Sequence, residues 1–250
     1  MRISPKNRRL AFAKPYLPWL LRANRTVAQA EQELRWIKKE LPPNEWLSAV
    51  QRRHQLEPLQ YILGSQPFGS LSILCRPHVL IPRPETEEWV MNACRLLHNR
   101  SSRLLKVIDA CTGSGCIALL TRALLKCQVT AFDVSEYAVL LAKENARYNN
   151  RDEILILKRD ISQNQEELGP VDIVFSNPPY IPESDYVKPS KMDGIEQLVR
   201  IYEPELALVG NFEFFDYLVA NVAVPCQAKA FVFEIGYEEQ ARHVAGNPQL

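Results

Sequence analysis

The amino-acid sequence predicts an α/β fold, a mostly parallel sheet covered by helices on both faces, with a small helical amino-terminal domain ahead of it. Three observations carry this expectation. Between residues 104 and 235 short, continuous apolar runs alternate with helical stretches, the pattern of strands buried on both faces. One run ends in a glycine turn, IDACTGSGCIA (108–118), that opens a helix. Upstream, from Leu17 to Leu47, apolar residues recur at mixed spacings of three and four.

The elements follow in order. Ala28, Leu34, Trp36, Ile37 and Leu41 define a helical face. Pro42-Pro43-Asn44-Glu45 ends that helix and starts another, with Trp46, Leu47 and Val50 turned inward. Residues 1–57 are read as this helical domain. Residues 58–84 change character: Leu59–Leu63, Leu71–Cys75 and Val79–Ile81 are short β-like runs separated by Gly64, Pro67, Gly69 and Pro77, a hairpin linker. Pro82-Arg83-Pro84-Glu85-Thr86 leads into a helix at about 85–98.

Residues 85–250 are read as the α/β domain. Leu104–Asp109, Val129–Val134, Ile154–Lys158 and Val171–Phe175 are strands. Cys116–Lys126 and Ser135–Asn149 are helices, the second with Ser135 as N-cap. Leu206–Val209 and Ala230–Ile235 are later apolar runs around a helix at about 212–222. Residues 181–204 are polar and proline-bearing, a long loop with some helix, of the kind that carries function in compact domains.

Bulk properties narrow the classes. The chain has 250 residues, 46% hydrophobic and 24% charged, as in ordinary globular proteins. No apolar run approaches the roughly 18 residues that span a bilayer, so no membrane partner is expected. Six scattered cysteines form no Cys-x-x-Cys and no metal spacing; Cys111 and Cys116 read as small buried hydrophobes around a turn, and no metal is expected. Residues 1–60 hold 12 Lys/Arg against 5 Asp/Glu, a net of +7, whereas residues 61–250 carry a net of −6. The first 30 residues have seven basic residues and no acid. That suits either a mitochondrial presequence or a solvated basic helix face.

The glycine turn is the first functional signal. Gly113 and Gly115 let a ligand approach the backbone, and the following helix offers free N–H groups. Asp133 ends the next strand, 18 residues after Gly115, where a carboxylate can accept hydrogen bonds from both hydroxyls of a ribose. Asp160 follows the third strand and either meets an adenine amino group or serves as a turn residue. NAD, FAD and S-adenosylmethionine all fit this much. Asp109, just before the turn, would repel a pyrophosphate and favour an ammonium group.

The stretch VFSNPPYIPESD (174–185) decides further. In open α/β sheets ligands bind at the carboxyl ends of strands, and Asn177 sits at such an end. Pro178 and Pro179 stiffen the backbone and remove two N–H donors. The Asn177 side-chain oxygen and the Pro178 carbonyl can then accept the two hydrogens of a planar NH₂ group, and Tyr180 can stack on its π-system. The plainer reading, a rigid turn ending a strand, leaves the flanking Asn and Tyr unexplained.

These residues resemble the class I, Rossmann-like S-adenosylmethionine-dependent methyltransferases that act on planar nitrogens. Within them the chain resembles the HemK/PrmC family of release-factor glutamine N5-methyltransferases. The blocks are PLQYILGSQPFGSLSILCRPHVLIPRPETE (58–87), IDACTGSGCIALL (108–120), FDVSEYAVLLAKENARYNN (132–150), VDIVFSNPPYIPESD (171–185) and, more weakly, RIYEPELALVG (200–210). The resemblance implies S-adenosylmethionine held by Asp109, Thr112, Gly113, Gly115, Asp133 and Asp160, with Asn177 nearby. It implies a substrate glutamine in a Gly-Gly-Gln motif of a class I peptide-chain release factor, received by Asn177, Pro178, Pro179 and Tyr180, with Phe68 beside the pocket. It further implies Thr86 and backbone contacts near the cofactor, with Arg83 either there or paired to a carboxylate of the hairpin. A monomer without sequence-specific nucleic-acid binding is expected.

Two departures stand out. Cys111 replaces the usual glycine and is expected to narrow the turn. DxCTGSGC together with an LRW element near the amino terminus resembles the fungal mitochondrial branch, which favours a mitochondrial matrix location over a cytoplasmic one. After AFVFEIGYEEQARHVAG the family continues with a closing antiparallel hairpin, whereas this chain stops at Leu250, so the sheet is expected to lack one or two strands. Two other functions fit parts of the pattern: an adenine-N6 nucleic-acid methyltransferase, whose exocyclic amine suits the same receptor, and a non-catalytic cofactor-fold scaffold. The body's net negative charge argues against wrapping DNA.

Overall fold

The computed structural model describes residues 4–12, 14–98, 103–188 and 197–250. The chain divides into two compact units, Met1–Ser65 and Gln66–Leu250.

The first unit is helical: α1 (Pro5–Phe12), α2 (Leu17–Asn24), α3 (Val27–Glu40), α4 (Trp46–His54) and α5 (Leu59–Leu63). Thr26 caps α3, accepting from the Gln29 N–H at 3.3 Å. Leu17, Leu20, Ile37 and Val50 form its fully buried core. Within it Arg53 and Glu33, both buried, form a bidentate ion pair at 2.9–3.1 Å. The run Leu59–Leu63, expected as a strand, is helix α5. Pro58 precedes its first turn, Gly64 caps its end, and Leu59 and Ile62, one turn apart, reach the same core.

The second unit begins with the hairpin β1 (Ser65–Phe68) and β2 (Leu71–Leu74), shorter than the expected linker. Val79–Ile81, expected as a β-like run, is not among the strands of the described residues; the Ile81 N–H donates to the Glu203 carboxylate at 3.0 Å. Then come α6 (Pro84–His98), β3 (Leu105–Ala110), α7 (Cys116–Leu124), β4 (Cys127–Asp133), α8 (Glu136–Tyr148), β5 (Leu155–Lys158) and β6 (Ile173–Ser176). Short helices α9 (Glu183–Tyr186) and α10 (Gln197–Tyr202) flank residues 189–196, where part of the expected loop lies outside the described residues. Last are α11 (Phe212–Tyr217), continued by a π-helical turn over Leu218–Ala223, β7 (Ala230–Phe233) and α12 (Glu238–Ala245). Leu206–Val209 adds no strand to the sheet: Glu205–Ala207 is a 3₁₀ turn, and Val209 makes one isolated bridge to Ile181.

The sheet runs β5-β4-β3-β6-β7 with every pairing parallel. Alternate residues of each central strand point to opposite faces. Val107, Val129, Ile173 and Phe175 join α6, α7 and α8 in one core; Ile108, Phe132 and Val174 join Leu218 and Val222 in the other. The chain leaves β3 in one direction for β4 and β5, then returns beyond β3 for β6 and β7. The β3–β6 junction is therefore the topological switch point, where such sheets open a crevice at their carboxyl edge.

Candidate active site

Parallel register lines up the residues that follow each strand. Ala110 pairs with Phe132 on one side and Ser176 on the other, and Ser176 pairs with Phe233. The next residues along the carboxyl edge are thus Asp133, Cys111, Asn177 and Glu234. A cavity of about 280 Å³ opens there, lined among others by Gly113, Asp133, Asp160, Ile161, Asn177 and Pro179. A smaller cleft of about 30 Å³ adjoins it, sharing Cys111, Gly113 and Asn177 and adding Thr86 and Thr112.

On the cavity's polar side, Asp133 accepts from the Gly113 and Ser135 N–H groups, each at 2.9 Å. Burial raises its carboxyl above the ordinary range, against the pull of those N–H groups. Asp160 is exposed, and its Oδ1 accepts from the Ser162 N–H at 2.8 Å, so it is a turn residue that also lines the cavity. The apolar wall comes from Val134, Ile161, Leu206 and Phe214. Cys111 adopts φ 59°, a left-handed conformation that costs a non-glycine residue about 1 kcal/mol.

Two expected cofactor residues stand behind this wall. Asp109 is fully buried, and its Oδ2 accepts from Thr112 Oγ1 at 2.6 Å and the Ala118 N–H at 3.1 Å. It fastens the glycine turn and does not line the cavity. Burial pushes its carboxyl up to about 7, against the two hydrogen bonds and helped by the Asp133 charge. Gly115 also lies off the cavity wall. A Cβ there would come within 3.1 Å of the Ala142 Cβ, so it is glycine for close packing of α7 on α8.

The residues present fit S-adenosylmethionine. Asp133 and Asp160 offer acceptors for hydroxyl and amino hydrogens, and the apolar wall suits a flat ring. The Asp109 Oδ1, buried without a hydrogen-bond partner among the described residues, leaves an unsatisfied acceptor at the turn, as a donor-bearing ligand favours.

Of the Asn-Pro-Pro-Tyr segment, Asn177 and Pro179 line the cavity, whereas Pro178 and Tyr180 do not. Asn177 Nδ2 donates to Thr86 Oγ1 at 3.1 Å. Among the described residues no protein donor bonds Asn177 Oδ1 or the Pro178 carbonyl. Tyr180 donates its hydroxyl to Glu234 Oε1 at 3.2 Å, and Gln240 Nε2 donates to the Tyr180 carbonyl at 2.7 Å. Burial first, and then the Glu234 charge, raise the Tyr180 phenol well above its ordinary range, so it stays protonated. Arg83 pairs with Glu203 at 2.7 Å, which stitches the segment before α6 to the residues after α10. The partner is not in the hairpin, and Arg83 also lines the smaller cleft.

Phe68 is a correction. It is 1% exposed, within the core formed with α6 and α7, and offers no contact to the cavity. The inward side of β1 is needed for packing. The residue missed by sequence reasoning is Glu234. Its signal is positional: a lone acid directly after the apolar strand AFVF, as Asn177 directly follows IVFS.

The chain is similar to known proteins over most of its length. Residues 92–209 match the family model described as Methyltransferase small domain. Among solved structures, the hMettl16 catalytic domain in complex with MAT2A 3'UTR hairpin 6 shares the fold, with a TM-score of 0.54 and 20% identity over 79% of this chain and 71% of that one. The fold and the site together define a class I S-adenosylmethionine-dependent methyltransferase. The mitochondrial MRF1 N(5)-glutamine methyltransferase MTQ1 of Saccharomyces cerevisiae is 41% identical over 246 residues, 95% of this chain and 76% of that protein. The probable mitochondrial counterpart of Schizosaccharomyces pombe is 36% identical over 264 residues, 92% and 84% of the two chains. The chain belongs to this family of release-factor N(5)-glutamine methyltransferases.

Proposed function

We propose that this protein methylates the side-chain amide nitrogen of the glutamine in the Gly-Gly-Gln motif of a class I peptide-chain release factor in mitochondria, in the matrix. The observation that carries the reading is the Asn177 amide at the switch point. Its NH₂ end is tied to Thr86 and its oxygen is left as an acceptor beside the cavity.

S-adenosylmethionine, when bound, supplies the methyl carbon and a sulfonium leaving group. Asp133 and Asp160 anchor its sugar and base through their remaining lone pairs. Asn177 Oδ1 and the Pro178 carbonyl each accept one N–H of the substrate carboxamide. With both hydrogens held, the nitrogen lone pair is aimed at the incoming carbon, and the two oxygens stabilise the positive charge that develops on nitrogen. Tyr180, fixed through its hydroxyl, presents a ring to the planar amide. No strong base acts in the transfer; a proton leaves the nitrogen after the new bond forms.

The test uses labelled S-adenosylmethionine with a mitochondrial release factor and its Gly-Gly-Gln→Gly-Gly-Ala variant, followed by mass mapping. Label should enter the first and not the second. Label on nucleic acid would instead favour an adenine amine as the acceptor. Asn177→Ala should lower turnover by about 100-fold or more, as for removal of an oriented polar group at a reacting centre, while cofactor affinity measured by calorimetry stays near wild type.

A further inference from the structure

The Asn177 side chain has two chemically opposite ends, and only its oxygen can receive a substrate N–H. Shape does not distinguish the ends, so something must set which one turns outward. Nδ2 donates to Thr86 Oγ1 at 3.1 Å. A threonine hydroxyl has one proton, and here it is donated to Glu234 Oε2 at 2.5 Å. Thr86 can therefore face Asn177 only as an acceptor. Glu234 in turn meets donors on both oxygens: Trp89 Nε1 reaches Oε2 at 2.7 Å, and the protonated Tyr180 hydroxyl reaches Oε1 at 3.2 Å. The carboxylate returns no proton to this chain of bonds.

We propose that Glu234 is a positioning residue that sets the polarity of the Asn177 amide through the Thr86 hydroxyl. The inference rests on the reading of Asn177 as the acceptor of a substrate amide. Reversal of the relay would turn the Asn177 NH₂ toward the substrate NH₂, two donors face to face. The fold holds all three groups for this. Glu234 and Asn177 follow adjacent paired strands, and Thr86, 1% exposed, sits in the first turn of α6. The same carboxylate holds the Tyr180 hydroxyl, so amide polarity and ring position share one anchor.

Glu234→Gln keeps an oxygen for the Thr86 and Trp89 donors, turns its NH₂ to the Tyr180 hydroxyl and should stay within about threefold of wild type. Glu234→Leu removes that oxygen and leaves the Thr86 proton free to turn to Asn177 Oδ1; its turnover should fall about 100-fold, the scale of a misdirected polar group at a reacting centre, with cofactor affinity within about twofold of wild type. Thr86→Val should do the same, and Thr86→Ser should recover about tenfold or more of that loss by restoring the hydroxyl.

A readout without substrate separates this idea from the functional reading. The Asn177 side-chain NH₂ resonance, identified by its loss in Asn177→Asp, should shift and lose exchange protection in Glu234→Leu and in Thr86→Val. If that resonance responds while wild-type protein labels no release factor, the substrate assignment fails and the relay stands. An unmoved resonance with Glu234→Leu turning over within about threefold of wild type would overturn the relay. Should Glu234→Leu not fold, the Thr86→Val and Thr86→Ser pair decides by the same measurements.

Discussion

Gly236 has no room for a side chain. A Cβ there would lie 2.6 Å from Cδ2 of the Tyr180 ring, whose hydroxyl and carbonyl are both tied down. The ring must shift or its bond to Glu234 must break. Gly236→Ala should cost about 1–3 kcal/mol of stability, as overpacking does, and lower turnover without weakening cofactor binding. Wild-type turnover in a folded Gly236→Ala protein would show that the ring's position does not matter. Asp109 supports a second expectation. Its carboxyl is raised to about 7, so the stability gained by keeping it neutral is full below the ordinary carboxylate value and lost as pH rises through about 7. Unliganded protein should therefore lose stability between about pH 4 and 7, at up to about 1.4 kcal/mol per unit from this group. Asp109→Asn should flatten the slope measured by thermal unfolding. Asp133, raised by burial, leaves a residual slope of the same sign. Asp172, lowered chiefly by Arg103, contributes the opposite sign and only at lower pH.

At the next scale, α8 works as a surrogate strand partner. Asn145, fully buried, receives the Leu74 N–H at 2.6 Å and donates to the Leu74 carbonyl at 3.2 Å and the Ser114 carbonyl at 2.9 Å. One turn later Asn149 treats Ser72 in the same way, at 3.4 and 3.0 Å. The fit is geometric: a helical turn advances about 5.4 Å and two strand residues about 6.6 Å. Asn145→Ala leaves buried peptide groups of β2 and the glycine turn unpaired, so it should cost about 2–4 kcal/mol. A lowered urea midpoint with faster amide exchange at Leu74 would show it. The helix and its Ser135 cap were legible from periodicity, and Ala138 N–H does donate to Ser135 Oγ at 3.4 Å. The partners of Asn145 and Asn149 were not, because they lie 71 and 77 residues away. The π-helical turn was equally illegible. It leaves the Asn221 carbonyl to receive the Gln165 N–H at 2.8 Å, while Asn221 Nδ2 holds the Ile161 carbonyl at 3.1 Å behind the cavity.

Across the whole molecule charge is unevenly divided. The unit Met1–Ser65 carries a net of +7 and the unit Gln66–Leu250 a net of −6. If the helical unit recruits the substrate, encounter depends on screened charge, whereas the cofactor cavity depends on short, partly buried contacts. The KM for the release factor should then rise severalfold between about 0.05 and 0.3 M salt, with the cofactor Kd nearly constant. A salt-independent KM would place recognition on apolar contacts.

The alternation of apolar strands with helices, the glycine turn and the strand-end positions of Asp133 and Asn177 were all determined by the sequence, because each is a local pattern with a local physical cause. The tertiary structure decided which groups share an edge. Parallel register brought Glu234 beside Asn177 across more than fifty residues of chain. Packing turned Phe68 into core, Gly115 into a helix contact and Asp109 into a fastener of the turn. Burial and hydrogen-bond direction depend on partners distant in the chain, and no local pattern encodes them.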